Sequence, residues 1–330
     1  MKHLSTLSKI FLAVLCLFIF QKSSFATLYS INNVLSGLQE TPPLPTGGSG
    51  TILGTYNDVT KKITFTITFS TSGNTTAGHF HGPAPAGVAA GVQIGFTTIP
   101  LGVSSGTFTE TTPALTPTQE TQFLSGLWYA NIHTNVFGGG AIRGQLSPVA
   151  IKTLDLTFLI EGFYNDVSNI MVGDTVTVNI RNSTTPFAII EGAKGFLNSS
   201  GQTSINYTLP ANDTPYYLQV MHRNSIQTWS GLTPSFTANA LSYDFTSSNT
   251  QAFGNNLRLK GTRYCGFSAD VNQDGFVNLN DIILTSNNAI NFVNGYVVSD
   301  VNGDNLTNLN DIIIAFNNSI GFVKAIVPAP

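Results

Sequence analysis

A fourteen-residue segment near the C-terminal end of the chain occurs twice. The first copy is Asp270-Val-Asn272-Gln-Asp274-Gly275-Phe276-Val-Asn278-Leu279-Asn280-Asp281-Ile-Ile, and the second, thirty residues later, is Asp300-Val-Asn302-Gly-Asp304-Asn305-Leu306-Thr-Asn308-Leu309-Asn310-Asp311-Ile-Ile. Counted from the first aspartate, side-chain oxygens fall at positions 1, 3, 5, 9 and 12 of both copies. That spacing wraps a hard cation: carboxylate or amide oxygens at 1, 3 and 5, a backbone carbonyl at 7, and a carboxylate closing the shell at 12. Position 7 is Phe276 or Leu306, apolar where only the carbonyl is needed. Position 6 requires a left-handed backbone, which Gly275 adopts freely and Asn305 tolerates next best. Six of the 17 acidic residues of the chain lie in these two loops, so the repeat predicts two calcium ions.

Beyond each loop the apolar spacing becomes helical, through Leu279, Ile282 and Ile283 and again through Leu309, Ile312 and Ile313. A loop followed by a helix, given twice without a preceding helix, resembles the type I dockerin module. The resemblance implies a small helical, EF-hand-like unit over residues 263–330 that docks on a cohesin. The recognition positions of that family correspond to Leu279-Asn280 and Leu309-Asn310 here. The Ser/Thr pair usual in the family is absent, which leaves a cohesin-like protein and a cell-surface or matrix ligand both open as partners.

At the other end, Lys2 and Lys9 precede an apolar run from Ile10 to Phe20 and a small-residue site ending at Ala26. This is the pattern of a secretory signal peptide over residues 1–26, and it predicts an extracellular protein beginning near Thr27. Of the 14 basic residues, Lys2, Lys9 and Lys22 precede Thr27, while all 17 acidic ones follow it, so the net charge moves from −3 to −6. A chain of that charge has no footprint for nucleic acid. Cys265 is left without a disulfide partner, and no later segment is long and apolar enough to cross a membrane.

Between these ends the chain reads as mainly β. Lys62-Ile63-Thr64-Phe65-Thr66-Ile67-Thr68-Phe69 alternates polar and apolar side chains, the pattern of a half-buried strand, and Gly- and Pro-rich turns divide further such runs. Two β-sandwich or Greek-key domains are expected, over residues 27–149 and 150–262. In the second, strands are expected at Leu154–Gly162, Thr175–Ile180, Ser204–Leu209, Tyr216–Met221 and Leu241–Phe245.

Four motifs occur in order in the first β domain. They are Leu35-Ser-Gly-Leu-Gln-Glu40-Thr-Pro-Pro43, Ala77-Gly78-His79-Phe80-His81-Gly82-Pro83-Ala84, Tyr129-Ala130-Asn131-Ile132-His133-Thr134 and Gly140-Ala141-Ile142-Arg143-Gly144-Gln145-Leu146. Together they resemble the CHRD domain, with Ala141 standing where that family usually has Glu. His79 and His81 are two apart on a predicted strand and share a face, as do Asn131 and His133 on a later one. Were the two strands neighbours, His79, His81 and His133 would offer three nitrogens to copper or zinc. The alternative is a hydrogen-bonded structural cluster. Glu40 and Arg143 are expected to pair, tying the first strand to the last.

Outside the acidic loops 11 acidic residues remain, with no paired-carboxylate motif, and the sequence contains no Gly-x-Ser-x-Gly, His-Glu-x-x-His or phosphate-binding glycine loop. The sequence therefore favours a secreted modular binding or anchoring protein over an enzyme. The alternatives are a transition-metal protein and a subunit of polysaccharide processing.

Overall fold

The computed structural model describes residues 26–329, so the leader expected at the N-terminus lies outside the described residues except for its last position. The first nine strands are β1 (Leu28–Ser36), β2 (Gly48–Asn57), β3 (Lys62–Thr71), β4 (Thr75–His81), β5 (Val92–Gly95), β6 (Ser105–Thr111), β7 (Tyr129–Thr134), β8 (Ile142–Gln145) and β9 (Val149–Ala150). They make one sheet in the order β5-β4-β7-β8-β1-β2-β3-β6, with β9 added on β1. Strand β3 follows its alternation: Ile63, Phe65, Ile67 and Phe69 are buried. On its outer face Thr64, Thr66 and Thr68 pair hydroxyl to hydroxyl with Thr111, Thr109 and Thr107 of β6.

Strands distant in that order meet across the core. The Phe65 ring on β3 lies 4.8 Å from Phe80 on β4 and 5.1 Å from Phe96, so the sheet curls onto itself and its inward side chains share one interior. Each such buried ring contributes roughly 2–3 kcal/mol of transfer free energy. A helix, α1 (Pro117–Leu124), closes one end of this interior with Phe123 against Tyr56 and Trp128. The sequence reading did not include it, although its start is written in the residues. Thr116 and Gln119 form a reciprocal capping box, and Pro117 occupies the first turn.

The second core lies between two further sheets. Strands β10 (Lys152–Thr157), β15 (Gln202–Tyr207) and β18 (Ala240–Asp244) form one, in the order β15-β10-β18. Strands β13 (Asp174–Asn182), β14 (Ile189–Leu197), β16 (Tyr216–His222) and β17 (Ser225–Trp229) form the other, in the order β14-β13-β16-β17. A short hairpin, β11 (Tyr164–Asn165) with β12 (Ile170–Met171), flanks them. Leu154, Leu156, Val176, Val178, Ile180, Leu218 and Val220 fill the space between, and Tyr216, Trp229 and Tyr243 are buried as well.

The third core, beneath helices α2 (Leu279–Ile290) and α3 (Leu309–Ile320), is small and takes in Ile226 from β17, so the C-terminal helices pack on the middle sandwich. Asn318 of α3 donates to Glu161 at 2.6 Å and to the Ser268 carbonyl at 2.9 Å, fastening that contact. The expected apolar stripe divides here. Ile282 packs on the core, whereas Leu279 and Ile283, with their repeats Leu309 and Ile313, face solvent. The cause is the capping box at each helix start: Asp281 and Asp311 turn inward to accept backbone N–H groups and rotate the leucine side outward.

Candidate metal centre

Strands β4 and β7 are antiparallel neighbours, with Ala77 opposite His133, His79 opposite Asn131 and His81 opposite Tyr129. Because side chains alternate along a strand, Phe80, Ala130 and Ile132 point into the core while His79, His81, Tyr129, Asn131 and His133 line the other face. The loops around Ala90 and Gly138 lie over that face, so that His81, Tyr129 and Asn131 are buried and His79 and His133 half-buried.

Pairing of the strands brings the three histidines together. Their ring centroids are 4.9 Å (His79 to His133), 5.4 Å (His79 to His81) and 5.7 Å (His81 to His133) apart. One ligand atom from each lies within 4.8 Å of the others, the one such three-residue group among the described residues. His81 Nδ1 is 3.0 Å from the Ala90 carbonyl and His133 Nδ1 is 3.0 Å from the Gly138 carbonyl. A carbonyl only accepts, so each Nδ1 carries the proton and each Nε2 keeps a bare lone pair. His81 Nε2, His133 Nε2 and His79 Nδ1 are all buried without a partner. Burial, reinforced at His79 by the neighbouring imidazoles, lowers the pKa of all three rings, so they stay neutral near pH 7.

The surroundings hold the rings in place. Tyr129 stacks on His81 with centroids 5.0 Å apart and planes within 7°, and its hydroxyl accepts from Ala90 N–H at 3.0 Å. The Arg143 guanidinium lies 3.4 Å above the other side of the Tyr129 ring. Asn131 Oδ1 and Glu40 Oε1 are also buried without partners. Both lie 2.7 Å from the point where a Cβ on Gly140 would stand, so only glycine, here at φ +136°, fits between them. Three neutral imidazoles with unpartnered nitrogens, two of them held in one tautomer by a carbonyl behind the ring, make a donor set suited to zinc or copper.

The expected Glu40–Arg143 ion pair does not form. Among the described residues no carboxylate lies within 4.0 Å of the Arg143 guanidinium, and the two side chains instead line the same cleft. Motif order could place both residues near the site but could not supply the distance between them. Tyr129 stands first in the third motif, but the sequence assigned it no role. Its even spacing from Asn131 and His133 was the signal that put it on the histidine face.

In the C-terminal loops Gly275 and Asn305 take positive φ, 85° and 66°. Asp270 Oδ2 accepts from Gly275 N–H at 3.2 Å, and Asp300 accepts from Gly303, Asp304 and Asn305. Asn272 and Asp274, with their counterparts Asn302 and Asp304, bond one another at 2.8 and 2.9 Å. Asp281 and Asp311 each take three backbone N–H bonds, one from Asn278 or Asn308. The side chains of Phe276 and Leu306 point outward. Leu279 and Leu309 are 64% and 66% exposed, and Asn280 and Asn310 stand beside them at the surface.

A curled β-sheet domain with a three-histidine cluster on its covered outer face is the class of structure at the N-terminal end. Residues 31–146 match the family model of the CHRD domain, in accord with the motifs read from the sequence. No curated protein matches the chain.

Proposed function

We propose that this protein is a secreted modular binding protein whose CHRD domain holds one zinc or copper ion on His79, His81 and His133. One observation carries this reading: three neighbouring imidazoles, His81 buried and His79 and His133 half-buried, each keep a buried nitrogen without any partner. An unpaired buried polar atom costs about 1–3 kcal/mol, and three sharing one space have a common remedy in a bound cation. Bound there, such an ion would present a Lewis-acidic or redox-active centre with room for a fourth ligand. Titration with zinc and with copper(II), followed calorimetrically, tests it. Saturation at one ion per chain and loss of binding in His81→Ala support the site, whereas equal binding by that variant rules it out.

A second reading concerns the other end of the chain and is favoured by Asp270. Its Oδ1 is buried without a partner, and burial together with the nearby Asp281 carboxylate raises its pKa to about 6. A cation at positions 1, 3, 5, 7 and 12 of each loop would relieve that repulsion. In this reading two calcium ions stabilise residues 263–330 as a dockerin-like anchoring module, and the exposed Leu279 and Leu309 contact a protein or matrix partner. Limited proteolysis with and without a calcium chelator tests it: faster cleavage after residue 263 on chelation supports the reading, and unchanged protection removes it.

A further inference from the structure

Beside the histidine cluster, on the same face of the sheet, a cleft of about 340 Å³ opens between Glu40 and Arg143. Its walls are the apolar side chains of Leu38, Pro43 and Ala86, and its ends are polar. Arg143 is 2% exposed and Glu40 8%, so both charged groups are held out of bulk water although they line an open cavity.

Each group keeps part of its hydrogen-bonding capacity unused. Both hydrogen bonds of the guanidinium leave from Nη2, to the Pro85 carbonyl at 3.4 Å and to Gln145 Oε1 at 3.3 Å, at the long end of the normal range. The guanidinium carbon lies 3.4 Å from the centroid of the Tyr129 ring, and among the described residues Nε and Nη1 have no acceptor. Glu40 Oε1 has no partner. Gln39 and Gln145, by contrast, are occupied: Gln39 Oε1 accepts from Gln145 N–H, and Gln145 Nε2 donates to the Ala84 and Gly126 carbonyls. The unmet capacity is therefore concentrated in one planar cation and the carboxyl facing it.

We infer that this cleft binds a small organic carboxylate, its two oxygens gripped by Arg143, one of them facing Glu40, and its short apolar body against Leu38, Pro43 and Ala86. A guanidinium with free donors matches the planar two-oxygen face of a carboxylate. A phosphate dianion would need more than the single cation that lines the cleft. Glu40 does not compete as an internal counter-ion: it forms no ion pair with Arg143, and burial outweighs the attraction of Arg143 and the hydrogen bonds from Asn131 and the Thr41 N–H, raising its pKa to about 7 and leaving it able to donate a proton to the ligand. The cleft uses none of the histidine nitrogens, so its occupancy and the metal reading stand or fall separately.

The test is a calorimetric and heteronuclear NMR titration of residues 27–330 at pH 6 with butyrate, butyramide, inorganic phosphate, and a short peptide ending in leucine with a free or an amidated C-terminus. Saturable butyrate binding, at least tenfold tighter than butyramide or phosphate, is expected. It should shift the amide signals of residues 38–41, 86 and 87 and be lost in Arg143→Gln. Because Arg143 is buried, Ala86→Trp serves as the second variant: residue 86 is exposed, and the indole would fill the cleft without touching the histidine face. It should weaken butyrate at least tenfold with an unchanged near-ultraviolet dichroism spectrum. The free-ended peptide binding more tightly than butyrate would identify a peptide C-terminus as the source of the carboxylate, and the reverse a free acid. Equal binding of butyrate and butyramide, preference for phosphate, or wild-type affinity in Ala86→Trp would overturn the assignment.

Discussion

Two regions of this molecule bury histidine on a sheet and treat it in opposite ways. In the middle sandwich His222 is bonded through both nitrogens, Nδ1 to Ser225 Oγ at 3.0 Å and Nε2 to Asp174 Oδ2 at 3.1 Å. Asp174 also receives Tyr296 at 2.7 Å and Arg223 at 3.0 Å, and Arg223 continues to Asp300 at 3.4 Å. Every lone pair of that imidazole has a use within the fold. In the N-terminal sheet His79, His81 and His133 each end in an unpartnered nitrogen. Burial on a sheet is common to His222 and His81; what differs is the number of ring nitrogens left without a partner, and the proposed metal site rests on that difference.

The comparison can be broken at either end. Arg223→Ala should have the largest effect, because it leaves Asp174 and Asp300 buried without their cation; a loss of about 3–5 kcal/mol in unfolding of the C-terminal half is expected by denaturant titration. The metal content of the variant should be unchanged. The Asp174 carboxyl, which burial alone would raise, is held well below the usual carboxylate range by its bonds from His222, Tyr296 and Arg223. Its contribution is thus full above the unfolded carboxylate pKa of about 3.9 and disappears only as pH falls through the depressed folded value.

His81→Ala should behave in the reverse manner, weakening metal binding at least about 100-fold, near 3 kcal/mol. The stability of the metal-free protein should change far less, and competition with a chromophoric chelator and thermal unfolding of the apo form would measure the two quantities. Since the three folded histidine pKa values are lowered, the cost of protonating them is absent above the unfolded value of about 6.5. It destabilises the apo form as pH falls through the folded values.

Glu40→Gln sharpens the comparison, since this carboxyl lies in the unsatisfied region. Its folded pKa of about 7 means that its stabilising contribution is full below the unfolded value and lost as pH rises through 7. The variant should gain about 3 kcal/mol over wild type at pH 8.5 and nothing at pH 4, as read from denaturation midpoints. Tyr129→Phe, which removes only the hydroxyl that supports Ala90, should cost metal affinity tenfold or less, and a wild-type reading would show that the stack on His81 suffices.

Much of this was legible in the chain because it depends on short periods. The alternation in His79-Phe80-His81 and Asn131-Ile132-His133 fixed which side chains share a face, and the acidic repeat fixed where both C-terminal helices begin. What was not legible depends on pairing across long sequence distances. The juxtaposition of β4 and β7, some fifty residues apart, is set by the whole curled sheet. Strand β14 carries Gly192 and Gly195 and no clean alternation, and it exists through its register with β13. The separation of Glu40 from Arg143 is likewise a tertiary distance, as is the outward turn of Leu279 and Leu309.

The most direct test is elemental analysis of purified residues 27–330 after exposure to zinc and copper and dialysis against metal-free buffer, with the His79/His81/His133 triple-alanine variant alongside. One zinc or copper per wild-type chain and none in the variant is the predicted result. No retained transition metal, or equal amounts in both proteins, would contradict the three-histidine centre and return the cluster to a structural role.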